Sequence, residues 1–139
     1  MSLSVVQACR TAVLLLPILT GCKSWETNRG KVCVSVAKSG SAHRLYVRAE
    51  GPDCSGDHEG AELKCEVGGE GRDAVITTQY HAGKDPNDGC FGAVRATCGR
   101  SVPEGVVTVS FGGDVAEITV PGGLEVCLPE GSELSDSGW

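Results

Sequence analysis

Cysteine is the residue type in this chain with the most chemistry to assign. Eight occur, at positions 9, 22, 33, 54, 65, 90, 98 and 127. Thiols can hold zinc, pass electrons or close disulfides, and their spacing separates these uses. Structural zinc favours close C-x-x-C pairs, and redox dithiols use the same short spacing. No such pair exists here, the nearest two being Cys90 and Cys98. Disulfides therefore fit Cys33, Cys54, Cys65, Cys90, Cys98 and Cys127 best. Two loops carry ion-ligating atoms. Asp57-His58-Glu59 lies between glycines, and Asp85-Pro86-Asn87-Asp88-Gly89 places oxygen donors before a glycine. Both could meet a divalent cation, yet sequence neighbours rarely converge on one ion, and Asp-Pro and Asp-Gly are ordinary turn chemistry. Asp57, His58, Glu59, Asp85 and Asp88 are thus an alternative metal set, and no cofactor is expected. The histidines are His43, His58 and His81, with no G-x-S-x-G or H-E-x-x-H around them. A triad assembled from distant residues would make a secreted hydrolase. Nothing in the spacing points to one, and the expectation is a protein that is not an enzyme.

The segments that must position these residues read as strands. Lys31–Lys38 alternates Val32, Val34 and Val36 against Cys33, Ser35 and Ala37. A turn at 38–41 leads to His43–Ala49, with Leu45 and Val47 on one side. Ala61–Val67 alternates with Glu62, Lys64 and Glu66 outward. Asp73–Tyr80 is rich in β-branched residues, and Cys90–Cys98 follows a Gly/Asp loop. Val107, Val109 and Phe111 precede Gly112-Gly113, and Ala116, Ile118 and Val120 follow it. A two-residue Gly-Gly turn predicts a hairpin pairing Phe111 with Asp114, Val109 with Ala116 and Val107 with Ile118. Leu124–Leu128 is a last short strand. About eight strands with turns every 8–12 residues predict an all-β fold, an antiparallel β-sandwich of Greek-key, Ig-like type stapled by disulfides.

Side-chain parity narrows the bridges. Cys65 shares a face with Leu63 and Val67, and Cys98 with Val94 and Ala96, so both point inward. Cys33 lies opposite its valines and Cys127 opposite Val126 and Leu128, so these two meet on the outer side. The predicted pairs are Cys33–Cys127, Cys65–Cys98 and Cys54–Cys90.

The N-terminus sets the compartment. Arg10 precedes a short apolar run from Thr11 to Leu19, too short to span a bilayer as a helix and of signal-peptide length. Then comes Leu19-Thr20-Gly21-Cys22, which resembles the lipobox of bacterial lipoproteins. The resemblance covers only this segment. It implies a diacylglycerol group on the Cys22 thiol and peptidase cleavage between Gly21 and Cys22. In many species of that family the new amine is acylated as well. Loss of Cys9 with the leader and use of Cys22 for lipid leaves an even set of six cysteines, which agrees with three bridges in an exported domain. Lys23 in the family's sorting position implies the outer membrane or cell surface rather than the inner membrane.

The expected organisation is a signal peptide at 1–21, a lipidated tether at 22–30, a β-sandwich at 31–128 and a flexible acidic tail at 129–139. The formal charge of -6 and the absence of a Lys/Arg cluster argue against nucleic acid as a partner. Tyr46, Tyr80, Trp25 and Trp139 are too dispersed in sequence to suggest a carbohydrate platform. The functional expectation is a lipid-anchored cell-envelope domain with a binding or structural role. Its partner would be an envelope protein or a small ligand, met at the loops 51–60 and 83–89. A divalent-cation module using the same loops is the alternative.

Overall fold

The computed structural model describes residues 24–55, 60–83 and 92–135. Within them lie nine strands: Glu26–Thr27 (β1), Lys31–Ser39 (β2), Ala42–Glu50 (β3), Glu62–Gly68 (β4), Asp73–His81 (β5), Arg95–Val102 (β6), Gly105–Phe111 (β7), Asp114–Val120 (β8) and Val126–Leu128 (β9). They form a five-stranded and a four-stranded sheet, with no α-helix among the described residues. The β-sandwich expected from the alternation is the observed fold.

The four-stranded sheet runs β6-β3-β2-β9, antiparallel throughout. In the other, β4 and β5 pair antiparallel, as do β7 and β8. One edge of β5 is divided between two partners. Its first half pairs with β7 in parallel, and its last residues pair antiparallel with β1, Glu26 facing Tyr80 and Thr27 facing Gln79.

The core follows from period-two alternation. Val32, Val34, Leu45, Val47 and Ala49 from one sheet meet Ala74, Ile76, Val107, Val109 and Ile118 from the other, all buried. Phe111 and Tyr80 are the large rings among them, so branched aliphatic side chains supply most of the packed volume. The β7–β8 hairpin has the register expected for it, with Phe111 opposite Asp114, Val109 opposite Ala116 and Val107 opposite Ile118. Gly112, at φ 61, takes the backbone conformation that side chains resist, so the two-residue turn closes without strain.

Two segments expected to hang free are built into the sandwich. Residues 24–30 are no loose tether. Asn28, at φ 56, accepts the Thr78 N–H on its Oδ1 at 3.1 Å and returns its own N–H to the Thr78 carbonyl at 2.8 Å. This side-chain and backbone pairing continues the β1 ladder past Thr27, satisfying polar groups of a residue only 1% exposed. Likewise the segment after β9 lies against the four-stranded sheet as far as Ser135, because a buried carboxylate there draws donors to it.

Candidate functional site

The outer face of the four-stranded sheet can be assembled row by row from the strand registers. At one end Glu50 on β3 stands between Arg95 on β6 and Lys31 on β2. The next row is Thr97, Arg48, Cys33 and Cys127. Then come Gly99, Tyr46 and Ser35, and after them Ser101, Arg44 and Ala37. The first row and the Arg48, Cys33 and Cys127 part of the second are covered, whereas Thr97 and the last two rows are open.

The cover is the C-terminal segment. Glu50 is 2% exposed, and a carboxylate so buried needs donors close by. Its Oε1 accepts the Ser135 N–H and the Ser135 hydroxyl, each at 2.7 Å. Arg95 Nη2 donates to the same hydroxyl oxygen at 2.7 Å, and its Nε lies 3.7 Å from Glu50 Oε1. Lys31 Nζ stands 3.9 Å from the other carboxylate oxygen. Residues 132–135 are thereby held over the sheet, and Cys33, although on the outer side, is only 2% exposed. A cleft of about 440 Å³ opens between this strap and the sheet, lined by Arg48, Glu125, Ser132 and Glu133 among others. Arg48 Nη2 donates to Glu125 Oε2 at 2.9 Å across it.

Beyond the strap Tyr46 is 42% exposed. Its cross-strand neighbours are Gly99 and Ser35, so nothing tall flanks the ring within the sheet. Arg44 and Arg48 stand two residues to either side on the same face, roughly 6.7 Å away along the strand. Arg44 spends one N–H on the Gly99 carbonyl at 3.2 Å, which lays the guanidinium beside the glycine and leaves further donors directed outward. The result is a shallow platform of a phenol with the open Arg44 guanidinium near it, which suits a ring-bearing anion, while the Arg48 guanidinium is paired with Glu125 under the strap.

Two expected bridges are present. Cys33–Cys127 joins opposed residues of β2 and β9, with Cα atoms 4.0 Å apart. Cys65–Cys98 ties β4 of one sheet to β6 of the other, with Cα atoms 5.5 Å apart. Cys54 is disulfide-bonded too, and its expected partner Cys90 lies outside the described residues. So do Gly21 and Cys22, and the alternative metal set Asp57, His58, Glu59, Asp85 and Asp88. Among the described residues, Cys33, Glu125 and Cys127 are close enough for a metal, but both sulfurs are spent in the disulfide. Of the loop at 51–60, Gly51 and Ser55 are buried, with the Val94 N–H donating to Ser55 Oγ at 3.0 Å and the Gly51 N–H to the Val94 carbonyl at 2.8 Å. That half of the loop is a structural joint, not an open binding surface.

The chain matches no protein-family model, no characterised protein and no solved structure.

A second polar cluster lies on the outer face of the five-stranded sheet, where the chain enters the fold. The His81 Nδ1–H donates to the Ser24 carbonyl at 3.0 Å. The Trp25 and His81 rings are 5.4 Å apart, and Lys64 Nζ sits 4.4 Å from the Trp25 ring centre. The other described imidazole is remote from it: His43 Nε2 lies 3.1 Å from Glu104 Oε1, at the opposite end of the sandwich. Neither histidine contact involves a serine or threonine hydroxyl. Sequence reasoning set the aromatic residues aside as dispersed and so missed both clusters. The signal for the first was present: Arg44, Tyr46 and Arg48 alternate with the inward Leu45 and Val47 of a strand already recognised.

Proposed function

We propose that this protein is a lipid-anchored domain of a bacterial cell envelope, attached through Cys22, with a binding rather than a catalytic role. We assign its binding surface to Arg44 and Tyr46, with an acidic sugar polymer as the ligand class. The observation that carries the assignment is the exposed Tyr46 ring on a floor of Gly99 and Ser35, with Arg44 two residues away on the same open face. A sugar ring can stack on the phenol while a carboxylate of a neighbouring sugar meets the remaining donors of the Arg44 guanidinium. The anchoring half of the reading is supported by the lipobox-like Leu19-Thr20-Gly21-Cys22 and by disulfide use, which belongs to oxidising compartments. No role for a metal or cofactor enters it.

The test is calorimetric titration of the detergent-solubilised protein with an acidic glycan and with its neutral, carboxyl-reduced counterpart. Binding of the acidic form alone is expected, falling about tenfold or more in Arg44→Ala and Tyr46→Ala, a loss of about 1.4 kcal/mol or more. Thr108→Ala, on the other sheet, leaves it unchanged. Equal affinity in Tyr46→Ala and the parent, or no preference for the acidic glycan, would overturn the assignment. The anchoring is read separately, from the intact mass of membrane-extracted protein.

A further inference from the structure

If Cys22 carries lipid, the distance from the lipid to the folded domain becomes a structural quantity, and it is very short. Ser24 is already held by His81 through its carbonyl, and Trp25 is packed against the same imidazole. Only two residue steps separate Ser24 from Cys22. Fully extended, that is at most about 7 Å. The polar layer on each side of a bilayer is of similar depth, roughly 5–8 Å. A lipidated cysteine has its acyl chains in the hydrocarbon and its backbone among the headgroups, so covalent reach keeps Ser24 at that layer, and the domain cannot rise from it without breaking the Ser24–His81 and Trp25–His81 contacts.

We propose that the domain sits directly on the bilayer, with the Trp25–His81–Lys64 end of the five-stranded sheet seated in the lipid headgroups. The proposal rests on the anchoring reading above. Tryptophan favours that interface because its ring is apolar and its N–H needs a polar partner, and a lysine can extend its ammonium to lipid phosphates. Electrostatic attraction is not the driving force, since the chain is acidic and Glu62 and Glu26 lie nearby. The covalent chains hold the domain down, and the short link orients it.

The orientation has a consequence for recognition. The described flanks of the two loops first expected to meet a partner, Ser55 and Gly60 on one side and Gly83 and Gly92 on the other, belong to this same end of the sandwich. Gly51 bonds Val94 there, and β5 ends there at His81. Those described flanks therefore face the membrane. The β2–β3 turn at Gly40-Ser41 lies at the far end, with Arg44 three residues beyond it, so the platform on β3 opens toward the medium. A nine-residue strand such as β3 is roughly 30 Å long, which gives the scale of that separation.

The experiment uses full-length membrane-extracted protein, with its acyl mass established first, reconstituted into phosphatidylethanolamine–phosphatidylglycerol vesicles. In Trp139→Phe, Trp25 is the remaining tryptophan of the mature chain. Its emission should be quenched by brominated lipid, and its quenching by aqueous iodide should drop about threefold relative to protein freed of the anchor. In the unaltered protein, vesicle binding should protect Lys64 from an amine-reactive label and leave Lys38 as reactive as before. A Gly/Ser spacer of about 20 residues between Lys23 and Ser24 should abolish both effects by letting the domain drift away. Acylated protein with Trp25 open to iodide and Lys64 unprotected overturns the seating alone. A chain without acyl mass overturns the anchoring reading, and the seating with it.

Discussion

Glu50 offers the sharpest test of how the strap is held. Replacing it with alanine removes the acceptor of two hydrogen bonds at 2.7 Å and the counter-charge shared by Arg95 and Lys31. A donor that loses a charged, buried acceptor costs about 1.5–3 kcal/mol. The two cations are each about a quarter exposed, so water takes up part of the lost ion pairing, whose distances of 3.7 and 3.9 Å are long. The strap can also lift, which lets the freed Ser135 donors reach water. Together these place Glu50→Ala at about 3 kcal/mol, at the lower end for breaking a buried charge cluster. Glu50→Gln keeps a carbonyl for the Ser135 N–H and should cost about half as much. Urea unfolding followed by circular dichroism gives both values, and hydrogen exchange at the Ser135 amide gives the local effect. In the parent that amide should exchange far more slowly than an exposed one, and in Glu50→Ala it should exchange nearly freely. Glu50→Ala within about 0.5 kcal/mol of the parent, with Ser135 still protected, would refute the reasoning: the strap would then be held by something other than this carboxylate.

Three further outcomes are expected. Closing the chain between Cys33 and Cys127, 94 residues apart, should be worth about 4.7 kcal/mol, and between Cys65 and Cys98, 33 apart, about 3.7 kcal/mol. The paired alanine variants should thus lose stability in that order in urea, and the reverse order would mean native contacts outweigh chain entropy. Asn28→Ala loses both the side-chain acceptor for Thr78 and a residue tolerant of its φ, and should cost about 2 kcal/mol, whereas Asn28→Gly, which keeps the conformation, should cost less. Tyr46→Ala and Arg44→Ala, on an open surface, should melt within a degree or two of the parent even as ligand binding is lost, since their contacts carry little of the fold.

Where the pattern was local, it was legible. The Gly-Gly turn ties Phe111 to Asp114, so the whole hairpin register followed from two residues and the alternation around them. Parity was enough to pair Cys65 with Cys98 and Cys33 with Cys127, because a strand offers each side chain only two directions. What was missed depends on partners far away in sequence. β1 has only two residues and no periodicity, and Asn28 acquires its meaning from Thr78, which is fifty positions on. The strap is polar and reads as a tail until Glu50, 85 positions earlier, is seen to need a donor. The platform is hidden for another reason: aromatic residues spread along the chain suggest no common surface, whereas one ring and one arginine on a single strand already make this one.

The Cys33–Cys127 bridge also decides what a protease can do to this protein. It closes a covalent ring that contains every strand from β3 to β8 and both long loops. A single cut anywhere inside that ring leaves one molecule, still joined to its N-terminal segment. Nicking at the cell surface would therefore produce no shed fragment and no change in mass beyond one added water. Such damage would be visible only after reduction, when the pieces part, and a nicked copy could keep its strands paired and its outer face on display.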